Sequence, residues 1–172
     1  MRELAGSLAE LIAIDCTEAG FDTVSVTVQP ADPGWLIEGA LVAGLQAGNL
    51  RLMAGADTID YVAINVQDLG VEYSNLRGSG VFGSKQIDRI IRLQLNVILK
   101  PVRSGGNVVT KTYTKQVSDT VTTSAVESLE NRGIPATLGR IPEGGFFSNL
   151  AEPLIVIGAL AVGVYLLFTV RS

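Results

Sequence analysis

The sequence predicts an α+β fold: a small mixed, mostly antiparallel sheet with helices on one face, plus one C-terminal transmembrane helix. Three observations predict it. Ile91, Leu93, Leu95, Val97 and Leu99 alternate with Arg92, Gln94, Asn96, Ile98 and Lys100, the pattern of a strand with one buried and one solvated face. Residues 2–19 and 35–47 repeat apolar side chains at three- and four-residue steps, as helices lying on such a face do. Pro153 to Val170 carries no charge, and eighteen helical residues at ~1.5 Å each reach about 27 Å, close to the ~30 Å hydrocarbon core of a bilayer.

The first helix is read from Leu4, Leu8, Leu11, Ile12 and Cys16, with Glu3, Glu10 and Glu18 opposite and Gly20 as its stop. Thr23–Val28 is a strand with valines 24, 26 and 28 on one face, ended by Pro30. Asp32-Pro33 caps a second helix, which puts Ile37, Leu41 and Leu45 in one row and stops at Gly48-Asn49. Trp35, the only tryptophan, reads as a packing anchor in its first turn.

A short strand near Leu50–Met53 precedes a long one from Ile59 to Tyr73. In the latter Val62, Ile64 and Val66 face inward, and Asp68-Leu-Gly70 bends or bulges it. The alternating strand from Ile87 to Val102 turns at Arg103–Asn107 into Val108–Val117, whose threonines suit a strand. Ser124-Ala-Val-Glu127 has the form of a capping box, predicting a helix over Ala125–Arg132 that ends at Gly133. The expected organisation is therefore a globular domain over 1–132, a linker and membrane-proximal segment over 133–150, and the transmembrane helix and tail over 151–172.

Around that apolar run, Phe146, Phe147, Tyr165 and Arg171 are the expected interfacial anchors, since aromatic rings and cations favour the headgroup region. Gly158, Ala159, Ala161 and Gly163 leave one face smooth enough for another helix to approach. No export signal is legible in the chain as written, and Asp15 spoils the context in which Cys16 would be lipid-bearing. The domain is then cytoplasmic and tail-anchored, or on the periplasmic side if an export signal is missing from the sequence.

Chemistry is sparsely signalled. The 172 residues include 13 basic and 17 acidic ones, a formal charge of −4 without a basic run, which argues against nucleic acid as a partner. Histidine is absent, removing the commonest metal ligand and acid–base group, and the single Cys16 supplies neither an internal disulfide nor a thiolate zinc site. No metal, no cofactor and no enzymatic activity are expected. Asp57, Asp60 and Asp68 read as turn or solvated-face residues. Gly78, Gly80 and Gly83 match the spacing of a dinucleotide loop and Gly78–Lys85 comes near a phosphate loop, but Ser84 precedes Lys85 where lysine should come first, and a strand rather than a helix follows, so the amides that would meet a phosphate are missing. Arg77, Gly78, Gly80, Gly83 and Lys85 are instead candidate contacts to a partner or to lipid headgroups.

The helix over Leu4–Cys16, the Thr23–Val28 strand, the Trp35–Ala47 helix and the Asp60–Val117 meander with its Gly-Val-Glu-Tyr73 stretch resemble a group of bacterial envelope proteins. These are the soluble domain of the curli secretion channel, the penicillin-binding-protein activator lipoproteins and the flagellar outer-membrane accessory proteins. The resemblance is one of element pattern over roughly two thirds of the chain. It implies a non-enzymatic role, oligomerising or docking onto envelope machinery, and transfers no functional residue. The expected function is a membrane-anchored structural or assembly subunit that contacts lipid and other protein subunits and forms homo-oligomers, with the loop Asn75–Lys85 and the exposed sheet edges as candidate faces. The alternative is a membrane-tethered ligand-binding or sensory module using residues 78–85.

Overall fold

The structure is a computed structural model and describes residues 1–29, 35–55, 58–78, 84–140, 157 and 160. Two units divide the chain, Met1–Arg140 and Ile141–Ser172. The first begins with α1 (Arg2–Glu18), β1 (Thr23–Gln29), α2 (Trp35–Ala47) and β2 (Arg51–Leu52). Three long strands follow, β3 (Asp60–Arg77), β4 (Gln86–Lys100) and β5 (Val109–Thr122), then α3 (Thr123–Leu129) and a 3-10 turn at Pro135–Thr137.

These strands make one mixed sheet in the order β2-β1-β3-β4-β5. β1 lies parallel to β2 and β3, whereas the much longer β3–β4 and β4–β5 pairings are antiparallel. The register slips between Val66 and Asp68, so the expected irregularity falls at Gln67, one residue ahead of the predicted stretch. Val66 and Leu69 therefore both lie on the face that opposes Leu95 and Leu93.

α1 and α2 cover that face. Leu8, Ile12, Ile37, Leu41 and Leu45 are fully buried against Val24, Val62, Ile64, Leu93, Leu95 and Val97. The leucine row predicted for α1 needs a correction, because Leu11 is 49% exposed. Its place is taken by Ala5, Ala9 and Ala13, all fully buried. They face glycines of α2: a Cβ on Gly44 would stand 2.6 Å from that of Ala9, and one on Gly48 would stand 2.2 Å from that of Ala13. Small residues four apart on both helices thus set how closely they approach.

Gly48 is consequently a contact position, and Asn49, at φ 66°, takes the left-handed conformation that stops α2. The amide of Leu50 donates back to the carbonyl of Leu45 at 3.3 Å. Gly20, at φ 82°, ends α1 in the same way, with Phe21 donating to Cys16 at 2.9 Å. Trp35 does not anchor a core: it is 60% exposed at the start of α2. The Asp32-Pro33 cap expected before it lies outside the described residues.

Asp60 corrects another expectation. It is buried, and its Oδ1 accepts the amides of Val102 (2.8 Å) and Arg103 (2.9 Å), pinning the end of β4 to the start of β3. The capping box at Ser124 does not form. Thr122 is the N-cap of α3, without a side-chain cap bond, and the helix stops at Leu129.

Residues 133–140, read as linker, belong to the first unit. Ala136 is buried, the Gly139 amide donates to Glu130 Oε1 at 3.0 Å, and a Cβ at Gly139 would meet the Tyr73 ring at 2.4 Å. Among the described residues no helix is long and apolar enough to cross a membrane. The span expected over 151–172 lies outside the described residues except for Ile157 and Leu160, both helical and exposed.

Candidate interaction surface

β5 is the last strand of the sheet, and its edge follows from its sequence. Odd-numbered residues point to the helix side. Tyr113 Oη donates to Asp15 Oδ2, Lys111 Nζ pairs with Asp15 Oδ1 at 2.9 Å, and Lys115 Nζ donates to Ser7 Oγ at 2.7 Å. These contacts tie β5 to the polar flank of α1 beside Cys16. Even-numbered residues, Thr110, Thr112, Thr114, Gln116, Ser118 and Thr120, point to the other side, which no described helix covers. Along its 14 residues β5 is mostly exposed, and Val117 on the helix side is 47% exposed. Among the described residues its ladder is filled on the β4 side alone.

The uncovered face continues in polar residues across the sheet. Gln29, Asn65, Asn96 and Thr112 stand opposite one another on four successive strands. Gln94 Nε2 donates to Gln67 Oε1 at 2.9 Å, so part of the amide row is mutually satisfied. Nearer β1, Ser25, Thr27, Tyr61 and Lys100 line an open hollow of about 550 Å³. The face combines donors, acceptors, the Tyr61 ring and the cations Arg92 and Lys100, with Ile90 and Ile98 among them.

Charge is arranged locally. The Asp15 carboxyl is held below the usual carboxylate range, first by the Tyr113 hydroxyl and then by Lys111. Asp119 is lowered by its Arg89 partner, which donates through Nε at 2.8 Å and also through Nη2. Burial, with the Asp15 charge next, pushes the Cys16 thiol up to about 12, so it is a protonated core group at neutral pH. Among the described residues no group of three or more His, Cys, Asp or Glu side chains is placed to hold a metal.

The residues singled out around the glycine-rich loop separate. Arg77 pairs with Asp88 Oδ1, and Asp88 also accepts from Thr120 (2.9 Å) and Asn75 (3.2 Å). Those bonds, Thr120 first and Asn75 second, lower the Asp88 carboxyl. Arg77 thus serves a cross-strand cluster on β3, β4 and β5. The backbone carbonyl of Lys85 accepts the Thr123 amide at 2.9 Å, joining the start of β4 to α3. A Cβ on Gly78 would meet nothing within 4 Å, while Gly80 and Gly83 lie outside the described residues. So do Phe146, Phe147, Gly158, Ala159, Ala161, Gly163, Tyr165 and Arg171. Exposed sheet edges are a candidate face from the sequence, but that β5 is one of them follows only from the strand order. The local signal of β5 was present as threonine at 110, 112, 114 and 120, a polar side of a strand beyond which no further strand follows in the chain order of the first unit.

No protein-family model matches the sequence, and no curated protein does. Among solved structures, a minor lipoprotein from Acinetobacter baumannii is 19% identical over 63% of this chain and 76% of its own, with a TM-score of 0.40. Rare lipoprotein B from Shewanella oneidensis is 11% identical over 87% and 93%, with a TM-score of 0.39. Lipoprotein GNA1162 from Neisseria meningitidis is 12% identical over 80% and 97%, with a TM-score of 0.33. All three are bacterial lipoproteins, and none bears the name of the curli, penicillin-binding-protein activator or flagellar groups expected from the sequence. At TM-scores below 0.5 the likeness extends to no residue and to no activity.

Proposed function

We propose that this chain is a non-catalytic, membrane-anchored structural or assembly subunit of a larger envelope or membrane complex. Its folded unit meets other protein subunits through the β5 edge and the open face of the sheet. The apolar run 153–170 supplies the tether by transfer into lipid. The observation that carries the reading is β5: a long, exposed terminal strand beside a broad polar face offers backbone amides and carbonyls to a neighbour. The competing reading, a ligand-binding module on residues 78–85, stands second because the Arg77 guanidinium is already committed to Asp88. Titration with nucleotides and phosphorylated metabolites, with Lys85→Ala as control, tests it.

A photo-crosslinking residue placed in cells at Thr112 on β5 or Arg92 on the open face, with Glu10 on α1 as reference, tests the first. Adducts to other proteins are expected at 112 and 92 and not at 10. Equal, background labelling at all three positions would remove the proposal.

A further inference from the structure

We infer that β5 is a self-complementary edge, and that two copies of this chain join through it about a two-fold axis at Val117, making one continuous sheet. This rests on the assembly reading above and specifies one surface of it. Two antiparallel copies of one strand are related by a two-fold axis normal to the sheet, so residues directly opposite share a face and the axis must pass through a residue position.

The charges then choose the axis. Lys111, Tyr113, Lys115, Val117, Asp119 and Val121 share the helix side. An axis at Tyr113 sets Lys111 against Lys115; one at Asp119 sets that residue against its own copy, and one at Lys115 does the same to Lys115 although it pairs Lys111 with Asp119. Axes at Thr114, Gln116 or Ser118 match no lysine with an aspartate. At Val117 no like charges meet. Lys115 meets Asp119 twice, once on each side of the axis, Tyr113 meets Val121, and Val117 meets itself.

On the open side the same register sets Thr114 against Thr120, Gln116 against Ser118, and Thr112 against Thr122, all pairs able to hydrogen-bond across strands. Exposure agrees with the pairing. Val117 is 47% exposed and the Asp119 side chain 45%, whereas their β4 partners on the same side, Ile91 and Arg89, are half-buried. A lysine on an edge strand ordinarily wards off neighbours. Here a copy of the same strand brings Asp119, half-exposed beside its own Arg89 partner, to Lys115.

The full chain in mild detergent supplies the test. Wild type is expected to sediment as a dimer, and Lys115→Glu and Asp119→Lys are each expected to weaken association about tenfold or more. Mixing the two variants restores dimers, because the glutamate of one copy then meets the lysine of the other. Val117→Cys is expected to form a disulfide across the axis under mild oxidation, with Thr27→Cys on β1 as the control and Cys16 buried out of reach. Circular dichroism melts of each variant separate misfolding from lost pairing.

A monomeric wild type, variants that associate like wild type, or folded variants whose mixture stays monomeric would overturn the inference. Partner adducts at 112 and 92 from a monomer would overturn self-pairing and leave the assembly reading standing. A dimer whose adducts are to its own copy alone would support self-pairing and overturn contact with other proteins.

Discussion

The two ends of the long strands β3 and β4 are made from the same alternating pattern but are held by different forces. At one end α1 and α2 bury Val62, Ile64, Val66, Leu93, Leu95 and Val97 in a continuous apolar cluster. At the other, only Tyr73, Ile87 and Val126 are buried together, with Val71, Leu76 and Val121 half-covered around them. That end relies on polar ties, Arg77 to Asp88, Arg89 to Asp119 and Gly139 to Glu130. Such exposed pairs contribute about 0–1 kcal/mol each, whereas a fully buried aliphatic side chain contributes about 1.5–3 kcal/mol. Alternation therefore marks which residues share a face, and the covering helices decide how much that face stabilises.

The comparison breaks most readily at Leu95. Leu95→Ala is expected to cost about 2–5 kcal/mol and to lower the midpoint of the whole first unit in chemical denaturation. If it melts no earlier than wild type, the α1–α2 end is not the stabilising one.

The helix contact sharpens the point. Propensity alone predicts that glycine to alanine in a helix gains up to about 1 kcal/mol. Gly6→Ala, where a Cβ meets nothing within 4 Å, is expected to follow that rule. Gly44→Ala and Gly48→Ala are expected to lose about 1–3 kcal/mol, because the new methyl would overlap Ala9 or Ala13. Thermal melts of the three variants check the reversal of sign.

At the other end, Val126→Ala removes two carbons from a small cluster and is expected to cost roughly 1–2 kcal/mol. The effect should be local: hydrogen exchange should quicken at Tyr73, Ile87 and Val121 and stay unchanged at Ile64 and Leu95. Uniform acceleration would mean that the two ends open together.

The smallest effect concerns pH. Asp15 is lowered in the folded chain relative to an ordinary carboxyl, so its bonds to Tyr113 and Lys111 stabilise above about pH 4 and are lost as pH falls through the folded value. Asp15→Asn is expected to cost about 1 kcal/mol at pH 7 and progressively less as pH falls through the folded value, flattening acid unfolding. Denaturant midpoints of both proteins against pH read this directly.

Much of this architecture is legible in the residues. Val24, Val62, Ile64, Leu93, Leu95 and Val97 lie inward as their alternation predicts, and Ile37, Leu41 and Leu45 are buried as one row. On α1, Leu4, Leu8, Ile12 and Cys16 are buried as predicted and Leu11 is not, because the contact with α2 is set by how closely Ala9 and Ala13 admit Gly44 and Gly48. Trp35 was misplaced because an apolar ring in a first turn says nothing of whether a neighbour reaches it. Arg77 looked like a free cation because Asp88 is distant in the chain and becomes adjacent only across the β3–β4 pairing.

The sequence by itself determined the periods: which residues form helices, which form strands, and which sides of them are apolar. Those depend on side-chain spacing and local backbone preference, and both are properties of short segments. Only tertiary structure decided the strand order that leaves β5 at an edge, the burial of Asp60 beneath two amides, and the attachment of residues 133–140 beside Tyr73. Each of these joins segments far apart in the chain, where the outcome turns on which surfaces close against one another and which stay open.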